Sequence, residues 1–79
     1  MKIMMEFSSM AKNFNAGKDT AEIDLPEGST TIDLLNYYKT SFTAESGVSF
    51  LVINGVKSRT EEALKDGDHV KMFPKAFAG

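Results

Sequence analysis

Apolar and polar residues alternate with a period of two in several short stretches of the chain. Ile3, Met5 and Phe7 are separated by polar or charged residues except at Met4, the pattern of a strand with one face buried. The segment 13–19 carries Asn15, Gly17 and Lys18, a turn signal. Ala21, Ile23 and Leu25 then alternate with Glu22 and Asp24. The two runs predict a β-hairpin, ended by Pro26-Glu27-Gly28.

The period changes next. Thr30 is suited to cap a helix, with Asp33 three residues on and near the positive end of the helix dipole. Ile32 with Leu35, and Leu34 with Tyr38, are spaced for one helical face, so a helix is expected over 31–40. A polar loop at 43–47 separates it from Phe50-Leu51-Val52-Ile53, a strongly β-prone run stopped by Asn54-Gly55, the favoured pair for a tight hairpin turn. A weak edge strand at 56–58, one helical turn over 60–64, a break at Asp66-Gly67 and a last strand over 69–73 complete the order β-β-α-β-(β)-β. The class is α+β: a mixed sheet of four to five strands with one main helix on one face. Its expected core is Ile3, Met5, Phe7, Ile23, Leu25, Leu35, Leu51, Ile53, Val70 and Met72. No linker or internal repeat divides the chain, which reads as one domain, 1–79, with a C-terminal tail at 74–79.

Composition narrows the function. The chain has 79 residues, 42% hydrophobic and 25% charged, room for one modest core. It has no cysteine and one histidine, His69, so neither a thiol nucleophile nor a zinc-thiolate staple is available and no metal or cofactor is expected. A net charge of −2 without a basic cluster argues against nucleic acid. No apolar run approaches the roughly 20 residues of a membrane span, and Glu6 comes too early for a signal peptide. The expected setting is cytoplasmic.

Few side chains suggest chemistry. No Cys, Ser or carboxylate constellation calls for His69, which alternates with Val70 on a strand and reads as a solvent- or partner-facing residue rather than a catalytic base. Glu61-Glu62 and Asp66/Asp68 fit capping and turn formation better than acid–base work. A free-standing enzyme is therefore not expected. Two other features stand out. If Leu51, Ile53, Val70 and Met72 face the helix, then Phe50, Val52, Lys71 and Phe73 lie together on the opposite sheet face, a candidate partner surface. Phe77 would extend that surface as an anchor, and Lys71 and Lys75 are expected to pair with acidic residues there. The last strand also leads directly to Phe77-Ala78-Gly79. Glycine lacks a Cβ, so such a tip can thread a narrow channel and present its carboxylate.

Three phrases resemble one family. Leu25-Pro26-Glu27-Gly28-Ser29-Thr30, followed by Ile32-Asp33-Leu34-Leu35, is similar to the start of the helix in the MoaD/ThiS sulfur carriers. Val52-Ile53-Asn54-Gly55 is similar to that family's hairpin, and Leu64-Lys65-Asp66-Gly67-Asp68-His69-Val70 with Phe73-Pro74 to its last strand. The Phe-Pro pair looks more like MoaD, the small subunit of molybdopterin synthase, than like ThiS. The resemblance implies a ubiquitin-like β-grasp fold. It also implies a carrier and co-substrate rather than an enzyme. Gly79 would be adenylated by a MoeB/ThiF-like activating enzyme and converted to a thiocarboxylate. It would then serve as sulfur donor within a MoaE-like large subunit, in molybdopterin or tungstopterin synthesis. Phe77 and Ala78 would thread the partner's channel. Ala78 departs from the family's usual Gly-Gly ending. The alternatives are a carrier for thiazole or another thiolation pathway, a ubiquitin-like modifier forming isopeptide bonds, and an interaction module whose tail is never activated.

Overall fold

The computed structural model describes residues 1–75. Five strands form one sheet in the order β2-β1-β5-β3-β4: β1 Lys2–Phe7, β2 Thr20–Asp24, β3 Val48–Ile53, β4 Val56–Ser58 and β5 His69–Pro74. β1 and β5 run parallel at the centre and every other pair is antiparallel. One α-helix, α1 Thr31–Tyr37, crosses one face. This is the β-grasp arrangement, a mixed sheet that holds a single crossing helix.

The register explains the core. Phe7, Met72 and Leu51 lie in one row across β1, β5 and β3, while Met5, Val70 and Ile53 lie in the next. Facing them, Leu34 and Leu35 of α1 are fully buried, and Tyr38 sets its ring edge-on to Phe7 at 5.3 Å. Nine of the ten expected core residues are buried; Ile53, near the β3–β4 turn, is half-buried. Val48 and Leu51 are both completely buried although three positions apart. A register irregularity between Val48 and Phe50 restores the inward aim of Val48, as a bulge residue does.

Four expectations need correction. The β1–β2 connection is not a simple turn: a 3₁₀ segment, Ser9–Asn15, buries Ala11 before Ala16 and Gly17 turn the chain at positive φ. The helix is shorter than 31–40, ending at Tyr37 with Lys39 at positive φ. Its inward row is Thr31, Leu34 and Leu35, with Ile32 exposed. The segment 60–64 is extended rather than helical. Its backbone pairs with the start of α1 instead: Thr31 N–H donates to Glu62 O at 2.9 Å, Leu64 N–H to Ser29 O at 3.0 Å, and Thr30 bridges Ala63. Those partners lie about thirty residues upstream, out of reach of any local pattern.

The capping prediction holds in detail. Thr30 Oγ1 accepts from Ile32 N–H at 3.2 Å, while Asp33 accepts from Thr30 N–H at 2.8 Å, a reciprocal box. Asn54 and Gly55 both take positive φ, as a two-residue hairpin turn requires.

Candidate partner face and root of the tail

The sheet face away from α1 is built by simple alternation. β5 sends Val70 and Met72 to the core, which leaves His69, Lys71 and Phe73 on the other side. The regular antiparallel register of β3 and β5 sets Phe50 opposite Phe73 and Val52 opposite Lys71. The two phenyl rings stack, with centroids 4.5 Å apart and planes 16° from parallel. Neither ring is fully covered. The structure thus brings together Phe50, Val52, Lys71 and Phe73.

Cations frame the aromatic pair. Lys57 Nζ lies 4.5 Å from the centre of the Phe50 ring, and Lys71 Nζ lies 5.4 Å from that of Phe73, both within cation–π range. Lys71 also meets Glu6 at 3.3 Å, and His69 Nε2 meets the other Glu6 oxygen at 3.4 Å. These half-exposed pairs contribute at most about 1 kcal/mol each. Toward β2 the charge reverses, with Glu22 bound to Lys2 at 3.2 Å and Asp24 exposed beside it. The face therefore has an apolar patch bordered by Lys57 of β4 and Lys71 of β5, with Lys2 and the carboxylates Glu6, Glu22 and Asp24 on the β1–β2 side.

Lysine 75 departs from expectation. Its ammonium donates to a backbone carbonyl, Ala44 O at 2.7 Å, and its N–H donates to Gly47 O at 3.0 Å. No acidic side chain is involved in either bond. Phe77, Ala78 and Gly79, expected to form the reactive tip, lie outside the described residues.

The acidic pairs act structurally. Asp68, buried, accepts from Asn54 Nδ2 at 2.9 Å and Lys65 N–H at 2.8 Å. Glu61 accepts from Thr30 Oγ1 at 2.9 Å and Glu62 from Thr60 Oγ1 at 3.0 Å. Among the described residues no cluster of His, Cys, Asp and Glu converges as a metal site, and no helix is long and apolar enough to cross a membrane.

Two contributors to the face were missed from sequence. Lys57 was within reach of inference, because a two-residue Asn-Gly turn pairs position 53 with 56 and 52 with 57. Glu6 required the parallel pairing that sets it against Lys71, for which local pattern carries no signal.

The sheet order, the single crossing helix and the apolar sheet face define a ubiquitin-like β-grasp protein. No protein-family model matches the chain, and no curated protein matches it in sequence. Among solved structures the chain is similar to a protein assigned as molybdopterin converting factor, subunit 1, from Pyrococcus furiosus. The two share 28% identity with a TM-score of 0.74, over 96% of this chain and 99% of that one. The chain is MoaD-like, as its three sequence phrases imply.

Proposed function

We propose that this chain is a sulfur carrier and the small subunit of a molybdopterin or tungstopterin synthase. The observation that carries the reading is the likeness to a converting factor subunit 1 along nearly the full length of both chains. The carrier supplies a substrate group rather than a catalytic apparatus, in keeping with the capping and turn roles of its clustered carboxylates.

In this reading a MoeB/ThiF-like enzyme binds the carrier and ATP. A Gly79 carboxylate oxygen attacks the α-phosphorus and pyrophosphate leaves, giving an acyl-adenylate. Sulfur at the sulfide level then attacks the carbonyl carbon and AMP departs with its oxygen, leaving a thiocarboxylate. Where the sulfur arrives as a persulfide, a second thiol cleaves the remaining S–S bond. AMP is needed because a free carboxylate has no adequate leaving group. The loaded tip then donates sulfur inside a MoaE-like large subunit. Phe50, Val52, Lys71 and Phe73 form the docking surface, Lys75 stands where the tail begins, and Phe77 and Ala78 thread the partner's channel. Ala78 fits such a channel if the tail lies extended, because a Cβ is strained chiefly at positive φ.

The test is intact mass spectrometry after incubation with a MoeB/ThiF-type enzyme, ATP and a persulfide donor. The expected result is a gain equal to one oxygen replaced by sulfur, absent when Gly79 is deleted. No adenylate and no sulfur with several such enzymes would leave a binding module that keeps the fold without the chemistry.

A further inference from the structure

The end of β5 is held in an unusual way. Pro74 has no N–H, so the ladder cannot donate at that position, although Pro74 still lies opposite Val48. Donation resumes one residue later at Lys75, whose N–H reaches Gly47 O at 3.0 Å and whose ammonium reaches Ala44 O at 2.7 Å. Both acceptors belong to the 41–47 loop, which is knitted within itself. Ala44 N–H donates to Ser41 Oγ at 2.9 Å, Gly47 N–H to Ala44 O at 3.0 Å, and Val48 N–H to Ser41 O at 3.0 Å.

Gly47 closes this loop for a steric reason. It is buried, and a Cβ there would collide with the Ser41 carbonyl oxygen and lie 2.9 Å from Ala44 Cβ. Ala44 O accepts from both Gly47 and Lys75. Loop and lysine thus share one acceptor at the point where the chain leaves the sheet.

We propose that the 41–47 loop and Lys75 form a clamp that fixes the origin of the tail, making Lys75 a positioning residue for reaction at Gly79. The role rests on the sulfur-carrier reading above. Residues 76–79 follow the clamp, and four residues span at most roughly 14 Å. Releasing the root at Lys75 removes the fixed point and direction from which the chain leaves the sheet toward Gly79. The effective concentration of the carboxylate in a partner's channel falls accordingly.

The experiment is ATP–pyrophosphate exchange with a purified MoeB/ThiF-type enzyme, read as KM and kcat for wild type, Lys75→Met, Lys75→Arg and Gly47→Ala. Loss of the ammonium–carbonyl bond is expected to raise KM for the carrier about fivefold with kcat near wild type. Arginine, which can still donate to Ala44 O, restores most of the loss, and Gly47→Ala raises KM with Lys75 intact. Amide hydrogen exchange on the free protein supplies the second readout. The residue-75 N–H should exchange about tenfold faster in Lys75→Met than in wild type. A raised KM with unchanged exchange would mean that Lys75 touches the enzyme instead of the loop, which overturns the clamp. An active wild type with unchanged KM in Lys75→Met overturns the positioning role and leaves the carrier reading standing. A wild type that supports no exchange of pyrophosphate overturns the carrier reading and this role with it.

Discussion

Replacing Thr31 with valine tests the contact that keeps the 60–64 segment extended. Thr31 is completely buried at the first turn of α1. Its hydroxyl donates to Thr60 O at 2.9 Å and accepts from Glu62 N–H at 3.0 Å. Valine has the same shape, so no cavity opens and the change isolates the two hydrogen bonds. Thr60 O keeps a donor in Ser58 Oγ at 3.3 Å, whereas Glu62 N–H loses its acceptor. A stranded, partly buried N–H costs about 1–3 kcal/mol, and removing the hydroxyl from the interior recovers part of that. The net expectation is a loss of about 1–2 kcal/mol. For 79 residues the unfolding entropy is about 0.17 kcal/mol/K, so Tm should fall by about 6–12 °C. Thermal unfolding followed by circular dichroism measures this. Urea titration should show a lower midpoint with an unchanged slope, and the Glu62 amide should exchange faster. A Thr31→Val protein within about 2 °C of wild type, or above it, would mean that the backbone pairs with residues 29–31 and apolar packing hold the segment without the Thr31 hydroxyl.

Two further outcomes follow from the described geometry. Burial pushes the Tyr38 phenol up to about 12, with Tyr37 adding to the shift, and its hydroxyl is buried without a partner among the described residues. Because the folded state holds this proton more tightly than the unfolded one, stability is unaffected below about pH 10 and declines as pH rises from there toward 12. Ultraviolet titration of the wild type should show a late phenolate that Tyr38→Phe removes, with neutral-pH stability equal or up to about 1 kcal/mol higher. On the proposed docking face, Phe73→Ser breaks the stack with Phe50 and should cost about 1 kcal/mol in stability while weakening capture by a MoaE-like subunit at least about tenfold. Calorimetric titration of the folded variant with unchanged affinity would remove this face from the docking surface.

Much of this molecule was legible where physics is local. Alternation at Ile3, Met5 and Phe7, the Thr30/Asp33 cap and the Asn54-Gly55 turn each specify their structure from neighbouring residues, and each appears as expected. The stacked face was also within reach, because Phe50 and Phe73 follow from strand parity once two strands pair antiparallel. Distance in sequence marks where inference stopped. Thr60-Glu61-Glu62 has a helix-like composition but finds backbone partners at Ser29–Thr31. Lys75 finds carbonyls at residues 44 and 47 rather than an acid. The 3₁₀ segment Ser9–Asn15 escaped because its one buried residue, Ala11, leaves no periodic trace.

The strand order also governs how the molecule can assemble. β5, the last of the five strands to emerge during synthesis, is the one that lies between β1 and β3. Until it leaves the ribosome, the β1–β2 and β3–β4 pairs have no common partner and exist as two separate ribbons, each too small to be stable. The β3–β4 turn can close on a microsecond scale by itself. Joining β1 to β5 must instead close a loop of more than sixty residues, a non-local step of the kind that slows folding. Completion of the sheet thus waits for β5, and β1 and β3 keep open edges until it joins them. Variants that weaken β5 are expected to prolong this open-edged stage and with it the exposure to aggregation.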